Sequence, residues 1–217
     1  MRRVLIWVVG ALIIAIVGVA AYETWAVNRA WRNTPAILEH GRAQAGEPLA
    51  QELPQDWIDA LLAVEDPSFR AHSGLDLSTP GQGLTTITQA LAKRLYFDGF
   101  EPGFAKIEQS LIAHFVLDRA ADKDEQLELF LGLAYFGTQE GREVIGFRDA
   151  AQTYFSRPLS ELDRPEFLAL VAMLIQPNGL RPDGQANAER VARIERLLAG
   201  ACAPTGLRDV WLTACEP

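Results

Sequence analysis

The sequence predicts an all-α domain carried behind an N-terminal membrane-spanning helix, and three observations carry that prediction. From Asp56 onward, apolar residues recur at 3.6-residue spacing with little β-branched alternation. Pro80-Gly81, Pro102-Gly103, Pro158, Pro177 and Pro182 cut this run into helix-length pieces. Ahead of it, residues Val4 to Tyr22 contain no charged side chain.

Taken in order, the N-terminal run comes first. At about 1.5 Å per residue it makes a helix of roughly 28 Å, enough to cross a hydrocarbon core of about 30 Å. Arg2 and Arg3 precede it and Glu23 comes after it. The positive-inside rule therefore leaves the N-terminus cytoplasmic and the rest of the chain outside, with Trp25 and Trp31 suited to the outer interface. A cleaved signal peptide with Gly18-Val19-Ala20 as its small-residue site is the competing reading. The apolar run is long for a signal peptide, which favours a retained anchor. Residues 1–22 are thus expected as cytoplasmic tip and anchor. Residues 23–55 read as a juxtamembrane linker: a polar amphipathic piece around Trp31, then Gly41, Gly46, Pro48 and Pro54.

Residues 56–200 read as the folded domain, with helices near 56–65, 85–97, 104–119, 123–136, 147–155, 161–175 and 186–199. Residues 201–217 read as a C-terminal tail holding both cysteines, Cys202 and Cys215. In an oxidising compartment these could pair across a short loop; two free thiols are the alternative. Neither sits in a metal-site pattern, and no metal ligands are expected. At 217 residues there is room for one domain with a full core. The net charge of −8 argues against a nucleic-acid-binding surface.

Chemistry concentrates in a few places. The run Trp57-Ile58-Asp59-Ala60-Leu61-Leu62-Ala63-Val64 leads into Glu65-Asp66-Pro67-Ser68-Phe69-Arg70-Ala71-His72-Ser73-Gly74. Pro67 disfavours helical geometry at Asp66, so the helix should end at or near Glu65. A carboxyl there meets the negative end of the helix dipole, which raises its pKa toward that of a working general base. Taken alone, the same residues also fit a solvated Glu, an Asp-Pro turn and an ordinary polar histidine. Next, winding residues 85–95 as a helix puts Thr85, Thr86, Gln89 and Lys93 on one arc, with Ile87, Leu91 and Leu95 opposite. A stripe of donors ending in a cation suits a sugar diphosphate, whose growing charge on departure needs neutralising, and Arg94 adds to it. A plain solvated face is the bland reading. Finally, Glu108 falls on the apolar arc of Leu111, Ile112 and Phe115. A carboxylate on a buried face is costly unless protonated or paired. It is therefore either an acid of the cleft or the buried partner of a lysine or arginine.

These stretches resemble those of the peptidoglycan glycosyltransferases, family 51. The first is similar to that family's E-D-x-x-F-x-x-H-x-G. Gly83-Leu84-Thr85-Thr86-Ile87-Thr88-Gln89-Ala90-Leu91-Ala92-Lys93 is similar to G-G-S-T-I-T-Q-Q-L-x-K, with Leu84, Thr85 and Ala90 as departures. The third motif, R-K-x-x-E, is met incompletely by Lys106-Ile107-Glu108-Gln109-Ser110: the glutamate position falls on Gln109 or Ser110. Asp124–Gly137 resembles K-x-E-I-L-E-x-Y-L-N-x-x-x-F-G, with Gly132 in place of asparagine. Stretches 149–162 and 167–178 resemble A-A-x-x-Y-F-G-K-x-x-x-x-L and the closing A-L-L-A…P helix. The layout, with no transpeptidase domain after these motifs, resembles the monofunctional members.

The resemblance implies a lysozyme-like, mainly helical fold with a groove between a larger lobe and a small membrane-proximal one. It implies polymerisation of lipid II onto a nascent glycan strand at the inner membrane, on the periplasmic side, alongside other cell-wall synthesis proteins. Glu65 would be the base and Glu108 a displaced second acid. Asp66, Phe69 and His72 would shape the site, while Thr85, Thr86, Gln89, Lys93, Arg94 and Lys106 would hold the diphosphate, with room for a divalent cation there. The departures leave a second reading open: a catalytically impaired member acting as a glycan-binding or scaffold protein.

Overall fold

Helix α1 is a single element of 44 residues, Arg2–Ala45, and its two halves obey different rules. Residues 4–22 are solvent-exposed almost throughout, although they are the most apolar stretch of the chain. Beyond them Glu23, Ala26, Ala30, Thr34, Leu38 and Gly41 are buried. That three-to-four-residue spacing is one helical stripe laid on the domain. The segment 23–55, expected as a linker, is therefore corrected. Most of it is helix, and that half of α1 packs on the elements below. Small residues permit the close approach: a Cβ on Gly41 would sit 2.8 Å from Leu95. Pro35 is tolerated inside the helix. The structure is a computed structural model that describes residues 2–101 and 103–216, side chains excepted at Arg2. The helix break expected at Pro102 lies outside the described residues.

Helix α2 (Gln55–Glu65) ends where Pro67 requires. A long loop then leads to α3 (Ile87–Tyr96). Helix α4 (Phe104–Ile112) runs into a π-helical turn, Ala113–Leu117, and a short α5 (Asp118–Ala120). Helix α6 (Lys123–Leu133) starts at an Asp122 cap and ends three residues earlier than its sequence pattern suggests. After it the chain forms a β-hairpin, β1 (Tyr135–Gln139) with β2 (Arg142–Ile145), that the helical periodicity concealed. Its turn, Glu140-Gly141, has positive φ at both residues, the geometry that matches strand twist in a two-residue loop. Helices α7 (Gly146–Phe155), α8 (Arg164–Met173) and α9 (Gln185–Leu198) complete the domain.

The core is built on α8. Every residue from Phe167 to Met173 is buried, so this helix is apolar all round and must be enclosed. Phe167 stacks on Trp57 of α2 at 4.8 Å and on Phe147 of α7 at 5.4 Å, tying three helices together. The C-terminal segment is no loose tail. Cys202 and Cys215 form a disulfide, Cys215 is fully buried, and Leu212 packs into the core.

Candidate active site

Glu65 is the last residue of α2 and borders a groove of about 780 Å³. Burial is the largest influence on its carboxyl and pushes it up to about 7; nearby Arg190 opposes this and Asp66 adds to it. Loss of water is thus the first cause of the raised value.

Behind Glu65 lies a polar frame. Asp66 is completely buried and accepts from the Ile87 backbone N–H at 2.8 Å, tying the end of α2 to the start of α3. His72 Nδ1 accepts from the Gly74 N–H at 3.0 Å, so its proton belongs on Nε2, which lies 3.0 Å from both Asp66 carboxylate oxygens. Phe69 is 1% exposed and packs edge-on to His72, with Lys123 Nζ 4.8 Å from its ring centre. Asp66, Phe69 and His72 therefore stand behind the base and do not line the groove. The loop between α2 and α3 is organised by Asp76. Its carboxylate accepts from the Ser68, Ser78 and Thr79 hydroxyls, and these bonds hold its pKa well below the usual range.

The expected donor stripe is only partly realised, because α3 begins at Ile87 and not at Thr85. Thr86 is the N-cap. Its hydroxyl accepts from Gln89 N at 3.0 Å and donates to Gly74 O at 2.7 Å. The Gln89 side chain returns the bond to Thr86 N and donates to Ser110 Oγ at 2.8 Å, completing a capping box. Both are buried and engaged, so a capping role replaces the expected open donors. Thr86 nevertheless borders the groove, as do Thr85, Lys93, Arg94 and Lys106, whereas Gln89 does not. Lys106 Nζ donates to Thr85 Oγ1 at 2.9 Å, joining α4 to the ridge. Partial burial, and then the nearby Lys93, lower the Lys106 pKa, as expected where two cations share a small volume. Arg94 lies 3.7 Å from Glu143 of the hairpin.

Glu108 is a correction to both readings of it. It faces α1, where Tyr22 donates to its carboxylate at 3.4 Å, and it is not on the groove's lining. Among the described residues it has no lysine or arginine in ion-pair contact. A helical wheel misplaces it for two reasons. The helix turns π at Ala113, leaving Phe115 42% exposed, and α1 packs against α4. From α4 the groove receives Gln109, whose amide donates to Gln89 O at 2.6 Å. Among the described residues, no group of three His, Cys, Asp or Glu side chains could hold a metal ion.

Three segments line the groove without any sign of it in the local pattern. The hairpin supplies Tyr135 and Glu143, the C-terminal loop Val210, and α9 Arg190. Arg190 is 2% exposed. The sequence places Arg190, Arg193 and Arg196 on one amphipathic helix, and nothing in their spacing tells which of them faces inward.

A family model described as Transglycosylase matches residues 37–201. Penicillin-binding protein 1B of Buchnera aphidicola is 34% identical over 136 residues, covering 57% of this chain and 18% of that protein. Penicillin-binding protein 1B of Escherichia coli is 32% identical over 130 residues, covering 54% of this chain and 15% of its own length. A Cupriavidus necator protein named as a candidate transglycosylase is 27% identical over 216 residues, with 91% of each chain covered. The chain thus spans less than a fifth of these two penicillin-binding proteins and most of the third relative.

Proposed function

The chain belongs to the transglycosylase family, and from that premise we propose that it polymerises lipid II into glycan strands with Glu65 as general base. The observation that supports this most is that Glu65 and the cations Lys93, Arg94 and Lys106 border one groove. In its ionised form Glu65 takes the proton from the 4-hydroxyl of the acceptor sugar. The freed oxygen forms a bond to the anomeric carbon of the donor strand from the opposite face. The bond from that carbon to the diphosphate breaks with inversion, and its electron pair leaves on the polyprenyl diphosphate. Lys93, Arg94 and Lys106, with the Thr85 hydroxyl, meet the charge that develops there. A carboxyl near pH 7 suits this task, since a base works best when its pKa lies close to ambient pH.

The exposed apolar first half of α1 fits a bilayer anchor, with the domain on the periplasmic side of the inner membrane. Anchoring suits a substrate whose lipid stays in the membrane. Purified full-length protein given labelled lipid II is expected to form glycan strands, and Glu65→Gln is expected to form none. Equal product from both removes the assignment of the base.

The second reading is a glycan-binding or scaffold protein of cell-wall synthesis with little turnover. Its specific support is that α4 presents Gln109 to the groove, one of the two positions, with Ser110, on which the acid of the family's third motif falls. Wild-type protein that binds lipid II without polymerising it would favour that reading.

A further inference from the structure

Arg190 and the loop closed by the Cys202–Cys215 disulfide form one wall of the groove, and no step of the proposed glycosyl transfer uses them. A guanidinium buried to this degree needs compensation. Nη1 donates to Val210 O at 3.0 Å, and the group lies 5.6 Å from the Trp211 ring centre. Its Nε has no hydrogen-bond partner among the described residues. Val210 and Trp211 both lie between the bonded cysteines, which are 13 positions apart. The same loop holds the opposite side of the wall. Gly81 N donates to Gly206 O at 2.9 Å and Gly83 N to Leu207 O at 2.8 Å. Gly81 and Gly83 have φ of +83° and +77°, and a Cβ on either would lie 2.7 Å from Pro204 or Val210. The loop is therefore wedged between α9 and the segment leading into the cationic ridge.

We propose that Arg190, held in place by the disulfide-closed loop, is a positioning residue for Glu65 that steadies its ionised form. The proposal rests on Glu65 being the base. Glu65 also faces Asp66 at its own helix end, and Arg193 stands beside Arg190 on α9. The rest of the groove contributes Lys93, Arg94, Asp98, Lys106, Tyr135 and Glu143. Arg190 and Glu65 border the same groove, and α9 packs on α2, so this buried guanidinium with its unpartnered Nε stands on the Glu65 side of the groove; a nearby cation favours the ionised form of a carboxyl. The loop links this effect to the thiol state of Cys202 and Cys215: with the disulfide open, Val210 no longer has a fixed place from which to hold the guanidinium.

The test titrates the Glu65 carboxyl directly, by infrared difference between each protein and its Glu65→Gln counterpart, and in parallel measures the acid limb of turnover with lipid II. Arg190→Met is expected to raise the midpoint by about one pH unit and move the acid limb the same way. Arg190→Lys, which keeps the charge, should recover most of the shift and serves if the methionine variant folds poorly. A Cys202→Ser/Cys215→Ser double variant should shift both readouts in the same direction by a smaller amount. A wild-type midpoint in folded Arg190→Met overturns the role of Arg190. A wild-type midpoint in the serine double variant, with proteolysis showing the loop released, overturns the role of the disulfide. If Glu65→Gln retains turnover while the midpoint still moves, the base assignment fails and the coupling to Arg190 stands.

Discussion

The walls of the groove leave Glu65 half-buried and partly shielded from water, and that has a consequence apart from catalysis. Its pKa rises from 4.5 to about 7, so the fold favours the neutral carboxyl. The stability this contributes is complete below the ordinary carboxyl range and is lost as pH rises through 7. Glu65→Gln should therefore melt close to wild type at pH 5 and above it at pH 8. The gap at high pH is on the order of 3 kcal/mol at most. Thermal melts at the two pH values check this, and equal melting at pH 8 would contradict it. The position of Glu65 at a helix end was legible from Pro67. The extent of its burial was not, because the walls come from residues as distant as Arg190 and Val210.

At the scale of elements, Gly132 shows how a departure from a family pattern can answer to packing. The family has asparagine there. In this chain a Cβ on Gly132 would lie 2.5 Å from the Ala45 side chain and 2.6 Å from its Cα, where the end of α1 meets α6. Gly146 also closes on this point, with a would-be Cβ 2.4 Å from Gly132 O. Gly132→Asn should therefore destabilise by about 1–3 kcal/mol through overpacking, read as a lowered melting temperature. An unchanged melting temperature would show that α1 yields at little cost. Helix α3 shows how local signals can name the right residues and still mislead about their role. Sequence position marks Thr86 and Gln89, yet together they form the cap that starts the helix, with Asp66 on the Ile87 N–H. A helical wheel begun at Thr85 cannot see this, since the wheel assumes the helix has already begun.

For the molecule as a whole, α1 is both anchor and structural member. A chain shortened to residues 23–217 keeps the buried stripe from Glu23 to Gly41 and should melt within a few degrees of the full protein. One shortened to residues 46–217 uncovers the surface under that stripe and should lose much of its stability; comparable melting of the two would refute the packing role. Amino-acid order alone determined the helical class, the exposed apolar segment, the helix end at Glu65 and the cationic residues Lys93, Arg94 and Lys106. These come from periodicity, charge and proline geometry, which act over a few residues. Only the tertiary structure decided that residues 23–45 continue α1, that Glu108 faces α1 instead of the groove, that a hairpin comes after α6, and that a disulfide-closed loop presents Arg190 near Glu65. Each of those depends on contacts between segments far apart in the chain, where burial and not local pattern sets what a side chain meets.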